Sequence, residues 1–383
     1  MKNAYNKFKL IAFLLVVVLG ASNLTGCIGC VGLLGCASLF EDGTYDIESD
    51  APKSNSTFSD DKYAYSTLDP TTQTVYNELY QGIVNMEEEF TLSTEDETVL
   101  NNAVECIAAD YGELFYVNGY SYSIGGFFSG YGIEISPEYT MSKEERDNTQ
   151  AQIDAVVNEW LSEISMEASD YEKSKWVYET LISRVDYVPD APNNQNIISV
   201  FLNGQTVCQG YSAAANYLFT KLGIQSFIVP GYAEGGPHAW NCVRLDGEYY
   251  YTDVTWGNSM YTNSNEEKKI SYSTLNVTAS DISRTHTIEA VFPMPECNSI
   301  NDNYFYQEGC YFESFQPEKM GKVLHNGYVK GKDVSIKCAN SETYDKMKTY
   351  FIDDTNFTDY CNGARTLQYT AFPEDRIIVF HFS

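Results

Sequence analysis

Apolar positions along this chain switch several times between the helical and the extended period. Tyr76, Leu79, Tyr80 and Ile83 recur at three- and four-residue intervals, the spacing that lines one face of a helix. Asp69-Pro70 just ahead of them supplies an N-cap followed by proline at the first helical position. Thr94 and Glu97 predict a capping box opening a second helix, with Leu100, Ala103, Val104 and Ile107 on one face. Phe115 to Ile135, dense in Tyr, Phe, Gly and Ser, predicts strands joined by tight turns. Helical spacing returns from Glu144 to Ile164 through Ile153, Val156, Val157, Trp160, Leu161 and Ile164, and Ser169 with Glu172 caps a further helix running to Val185. These stripes are core faces that pack helices against a sheet. Beyond Ala290, Pro293, Pro295, short apolar runs and the extended ending Arg376 to Phe382 predict a small separate C-terminal α/β unit.

Two patterns in the middle of the chain carry more than packing. After Cys208, the residues Tyr211, Ala214, Ala215, Leu218 and Leu222 keep helical spacing and Gly223 supplies the stop, so Cys208 opens a helix. Further on, Asp246-Gly247 separates two runs of aromatic and β-branched residues, the strongest short-range hairpin signal. If these two residues form the loop, Leu245 faces Glu248 and Asp253 faces Trp240. His238 shares the parity of Trp240, so it lies on the same sheet face, diagonal to Asp253 and within reach of a carboxylate.

Composition bounds the class. The 383 residues are 43% hydrophobic and 14% aromatic, a globular make-up with length for more than one packed unit. Lysine and arginine number 24 against 53 acids, a formal net charge of −29. Such a surface repels phosphate backbones, which argues against a nucleic-acid partner. Lys2, Lys7 and Lys9 precede the apolar run Leu10 to Leu19, the layout of a signal peptide and too short to span a bilayer alone. The following Leu24-Thr25-Gly26-Cys27 resembles the lipobox of bacterial lipoproteins, which implies lipidation of Cys27; Cys36 in Leu33-Leu34-Gly35-Cys36 is a poorer alternative, as is an uncleaved anchor. The expected division is a leader over 1–26, an anchor and flexible linker over 27–60, a helical and extended region over 61–168, a catalytic core over 169–290 and a C-terminal accessory domain over 291–383. An exported chain can oxidise its cysteines, and Cys297 with Cys310 and Cys338 with Cys361 are sequence-near candidates, though spacing does not fix connectivity.

Cysteine, histidine and aspartate in this arrangement can perform acyl transfer. A thiol at a helix start feels unpaired N–H groups and the positive end of the macrodipole, which favour thiolate. The backbone N–H of Cys208 can meet a developing oxyanion. Asp253 would fix the tautomer of His238, and the other ring nitrogen would serve Cys208 as base and then the leaving group as acid. Val207-Cys208-Gln209-Gly210-Tyr211, His238-Ala239-Trp240-Asn241 and Asp253-Val254-Thr255-Trp256 resemble the three signature blocks of the bacterial transglutaminase-like superfamily, a branch of the papain-like thiol enzymes. Asp110 to Tyr116 and Ser271 to Thr278 are similar more loosely. The resemblance implies a Cys208, His238 and Asp253 triad in an α+β fold, a papain-like/transglutaminase-like core with its nucleophile helix packed on an antiparallel sheet.

Gln205 is the candidate side-chain oxyanion donor, at a shorter spacing than the papain pattern, and Trp240 and Trp256 are candidate walls of the cleft or core residues. Asn241 either orients the hairpin or pairs its backbone. Apart from Cys27-Ile28-Gly29-Cys30 in the apolar leader, no CxxC spacing is present, nor any HxxxH or HExxH, so no metal and no cofactor are expected. The expected activity is hydrolysis of a peptide or carboxamide bond in a protein or peptide substrate, with cell-wall-associated substrates among the candidates, by an extracytoplasmic protein anchored to the membrane by lipid. Transamidation onto a lysine amine uses the same residues, and a non-catalytic surface module that binds cell-wall or protein ligands is the rival reading.

Overall fold

A computed structural model describes residues 62–124, 131–259, 270–364 and 367–382, together with the backbone of 9–12. Cys27, Cys36 and the predicted linker lie outside the described residues. Among those described, no helix is long and apolar enough to cross a membrane.

The fold is α+β. Helix Pro70–Asn85 starts where Asp69 accepts from the N–H groups of Thr71 and Thr72. Helix Glu97–Asp110 starts one cap later than expected: Asp96, adjacent to the first helical residue, accepts from Thr98 N at 2.7 Å, while Thr94 reaches only Asp96 N. A carboxylate directly before the helix outcompetes a hydroxyl two residues upstream. Helices Lys143–Leu161 and Asp170–Arg184 both open with reciprocal capping boxes, Ser142 with Glu145 and Ser169 with Glu172. The region predicted to be extended forms strands Val117–Ile124 and Ile133–Tyr139, which pair antiparallel. Phe90–Leu92 joins the outer edge of the second strand and Lys9–Ala12 that of the first.

The central sheet is antiparallel, in the order His286–Ile288, Ser226–Ala233, Gly236–Leu245, Glu248–Thr252. Its hairpin turns at Asp246 and Gly247, both at positive φ (48° and 91°), with Leu245 opposite Glu248. That is the turn whose twist matches flanking strands. Helix Cys208–Lys221 is buried at every residue from Cys208 to Phe219, so it is enclosed all round rather than along one stripe. Small residues make this possible. A Cβ on Gly112 would lie 2.4 Å from the Ala213 carbonyl oxygen, and one on Gly210 would lie 1.9 Å from Thr206 Oγ1. One apolar core runs from Ala64 to Cys297, uniting the N-terminal helices with this sheet.

A mixed sheet in the order Tyr311–Phe312, Val334–Cys338, Ile377–His381, Gln368–Phe372 has its own apolar cluster around Met320, Leu324, Ile336 and Phe351. An ion cluster ties it to the rest. Lys337, 1% exposed, meets Asp281 Oδ2 at 3.0 Å, and Arg376 and Arg284 meet Oδ1 of the same carboxylate. Asp281→Ala would leave the Lys337 ammonium buried without its partner, and is expected to cost about 3 kcal/mol in urea unfolding. A loss within about 0.5 kcal/mol would show that the cluster does not hold the two parts together.

Candidate functional site

Cys208 is the first residue of its helix, and Val207 before it contributes no side-chain cap, so the first-turn N–H groups around the thiol lack that partner. The motif after Cys208 is structural in each position. Gly210 gives room for Thr206, Tyr211 donates its hydroxyl to the Val185 carbonyl at 2.7 Å, and Asn258 donates to that hydroxyl at 2.7 Å. Asn241 on the hairpin donates Nδ2 to the Ser212 carbonyl at 2.9 Å. This bond ties the strand that carries His238 to the helix that carries Cys208.

His238 sits in strand Gly236–Leu245, opposite Gly231. Asp253 follows the last residue of the partner strand, its N–H bonded to the Thr274 carbonyl. His238 Nε2 and Asp253 Oδ2 are 2.7 Å apart, the diagonal contact that the Asp-Gly turn sets up. The other carboxylate oxygen accepts the Trp256 N–H at 3.0 Å, so Asp253 also caps the short helix Val254–Ser259. Cys208, His238 and Asp253 are 2%, 4% and 0% exposed; the site is nearly closed to solvent, and charges inside it interact strongly.

Burial alone would lower the pKa of His238. The charge and hydrogen bond of Asp253 outweigh it, the neighbouring Cys208 thiol adds to them, and the ring is raised to about 10. Burial would raise the Asp253 carboxyl, yet His238 and His286 hold it well below the usual carboxylate range. Imidazolium and carboxylate are therefore the favoured partners at neutral pH. Nδ1 of His238 is buried and makes no hydrogen bond. With Nε2 engaged by Asp253, Nδ1 is the nitrogen left to exchange a proton.

His286 is the residue that sequence reasoning passed over. Its Nε2 lies 3.0 Å from the same Asp253 Oδ2, and its Nδ1 lies 2.7 Å from Thr285 Oγ1. Neither the Gly-Gly-Pro loop nor the hairpin register points to it, because it arrives from the opposite edge of the sheet.

The remaining expectations fall out unevenly. Trp240 is 1% exposed and stacks on His238 at a ring distance of 5.9 Å with its edge toward His286. It belongs to the main apolar core, behind the histidines. Trp256 is half-buried and meets the His238 and His286 rings at 6.3 and 5.0 Å. Gln205 is exposed in a two-residue strand paired parallel with Asp186–Tyr187, and it is Gln209, 6% exposed, that is buried beside the thiol in sequence. Among the described residues the cysteines are unbridged. Cys297 lies 3.9 Å from Cys242 and Cys338 lies 3.9 Å from Met347 Sδ, and neither sequence-near pair is bridged.

His238, Asp253 and His286 offer three potential metal-ligand atoms within 4.8 Å of one another, a grouping no sequence spacing revealed. Their N···O separations of 2.7 and 3.0 Å are those of shared protons. Ligands at about 2.1 Å from a tetrahedral ion would stand roughly 3.4 Å apart. The residues as placed fit a hydrogen-bonded cluster better than a metal centre.

Residues 158–254, which include Cys208, His238 and Asp253, match the family model of the transglutaminase-like superfamily. The chain carries a transglutaminase-like domain. Kyphoscoliosis peptidase of Mus musculus is 25% identical to this chain over 130 residues, which is 29% of the chain and 20% of that protein. The Homo sapiens protein of the same name is 25% identical over 122 residues, 27% of the chain and 18% of that protein. The chain thus spans about a fifth of the length of these curated relatives. Among solved structures, a crystal structure of a TGase aligns with 39% of the chain and 46% of its own length, at 16% identity and a TM-score of 0.27. The transglutaminase-like domain comprises the buried Cys208 helix and the hairpin joined to it by Asn241.

Proposed function

We propose that the chain is a thiol acyl-transfer enzyme that hydrolyses peptide or carboxamide bonds through Cys208, His238 and Asp253. The observation that carries this reading is the His238 ring, with Nε2 2.7 Å from a buried carboxylate, Nδ1 unbonded and the Cys208 thiol as a neighbour that raises its pKa. In the proposed cycle the Cys208 proton already resides on the His238 imidazolium, and the thiolate adds to the substrate carbonyl. The oxyanion is met by the backbone N–H of Cys208 at the helix start. The imidazolium protonates the leaving amine as the C–N bond breaks, leaving a thioester. His238 then takes a proton from water, whose oxygen attacks the thioester and returns the thiol.

A lysine amine in place of that water would give cross-linking from the same intermediate. Hydrolysis is favoured because the curated relatives similar to part of this chain are called peptidases. The binding-module reading gives no role to a carboxylate desolvated beneath a histidine, an arrangement that costs free energy unless the pair is used. The chain is further proposed to be lipid-anchored at Cys27 outside the cytoplasm, acting there on protein or peptide substrates.

The test is to incubate the full chain with a mixed peptide library, with and without a primary amine, and read products by mass spectrometry. Cleaved or deamidated peptides unaffected by the amine are expected. Amine-containing adducts as the main product would make it a transamidase, and products that persist in Cys208→Ala would remove Cys208 from the chemistry.

A further inference from the structure

The Asp253 carboxylate is shared by two histidines. Oδ2 has two lone pairs, and His238 Nε2 at 2.7 Å and His286 Nε2 at 3.0 Å occupy both; Oδ1 takes the Trp256 N–H. The side chains of Asp253 and His286 are 0% exposed. A carboxylate held by one histidine and one backbone N–H could still pivot about its Cβ–Cγ bond. A third donor, on the oxygen that His238 also engages, removes that freedom.

The surroundings of His286 hold it for this task. Its strand pairs with Ser226–Ala233, and Gly231 in that strand has no side chain; a Cβ there would lie 2.0 Å from the Thr287 carbonyl oxygen and 2.8 Å from the Trp240 ring. The strand can therefore approach closely enough to put the ring under Asp253. Trp240 and Trp256 contact the ring at 4.9 and 5.0 Å. The Asp253 carboxylate can only accept, so a neutral His286 ring carries its proton on Nε2, and the Thr285 hydroxyl, 2.7 Å from Nδ1, then donates to that nitrogen. The titratable groups around the ring are Asp253 and His238, the latter 5.4 Å away between ring centres, with Cys208 beyond it.

We infer that His286 is a positioning residue of the reaction, a Thr285-fixed donor that keeps Asp253 Oδ2 aligned on His238, so that the reacting unit is a Cys208–His238–Asp253–His286 chain. This rests on the triad reading above. Loss of the donor would let the carboxylate turn, weaken its hold on the imidazolium and make the thiolate harder to form. One charge-assisted hydrogen bond of this kind corresponds to a change of about tenfold, or roughly one pH unit in thiol ionisation.

The test is iodoacetamide alkylation of Cys208 in the full chain, resolved by peptide mass spectrometry across pH, for wild type, His286→Met and His286→Gln. Both replacements are near the size of histidine, but only glutamine retains an N–H donor. The expected result is an alkylation midpoint about one pH unit higher in His286→Met, with most of the shift recovered in His286→Gln. A purely structural role would lower the melting temperature of both variants and leave both midpoints at the wild-type value, which overturns the inference. Equal shifts in both variants overturn it too. A wild-type midpoint already at the free-thiol value of about 8.5 removes the triad reading and this inference together, whereas a displaced wild-type midpoint unmoved in His286→Met removes only the role of His286.

Discussion

Cys208→Ala folds, binds substrate and turns nothing over. The residue is 2% exposed in a helix buried from Cys208 to Phe219, and replacing a thiol by hydrogen removes one buried atom, so unfolding free energy should fall by only about 1 kcal/mol. The expected loss in kcat is about 10⁶-fold, the scale seen when the nucleophile of a triad is deleted, because the remaining oxyanion donor and binding contacts supply only the residue of the rate enhancement. Cleavage assays paired with urea unfolding separate the two quantities. A variant that loses activity only in proportion to lost stability would place the chemistry elsewhere. A non-catalytic binding module would keep its affinity and show no activity in either protein.

Asp253→Asn changes less mass and is expected to be nearly as damaging. The amide can present an N–H to His238 Nε2, which would then have to accept, placing the ring proton on Nδ1. That is the wrong tautomer for taking a proton from Cys208, and the expected fall in kcat is about 10⁴-fold. Stability should change with a definite pH dependence. The Asp253 carboxyl is depressed in the folded state, so its contribution is present above its unfolded value of about 3.9 and is lost as pH falls through its lower folded value. His238 is raised to about 10, so its contribution is complete below its unfolded value of about 6.5 and is lost as pH rises through about 10. The difference in unfolding free energy between wild type and Asp253→Asn should be largest between about pH 4 and 6.5 and shrink through the alkaline range. A difference independent of pH would mean that the buried pair is not ionised.

Local chemistry made part of this site legible from sequence. The Asp-Gly turn admits one two-residue loop, that loop fixes the register, and the register puts Asp253 beside His238. Cys208 at a helix start follows from spacing and from the Gly223 stop, which adopts φ 75°. What sequence missed depends on contacts between distant segments. His286 lies 33 residues beyond Asp253 and reaches it only because its strand adds to the far edge of the sheet. Its signal, a histidine in a short alternating run after a threonine, is shared by many strands. Trp240 was open between wall and core until the helix and the histidines were packed around it. Asp96 replaced Thr94 as cap because adjacency to the helix decides between two competent acceptors. Gln205 was a candidate despite a spacing shorter than the papain pattern, and the strand pairing with Asp186 places it at the surface.

The near-closure of the site separates reactivity from access. A reagent can be slowed by the walls around Cys208 at every pH, so an absolute rate says little, whereas the pH at which the rate rises reports ionisation of the thiol itself. The most direct measurement is therefore that midpoint for Cys208 in the full chain, wild type against His238→Ala, with iodoacetamide and peptide-resolved mass spectrometry. An imidazolium stable to about pH 10 beside the thiol predicts a wild-type midpoint well below 8.5 that returns to about 8.5 without His238. A midpoint of about 8.5 in both proteins would contradict the account.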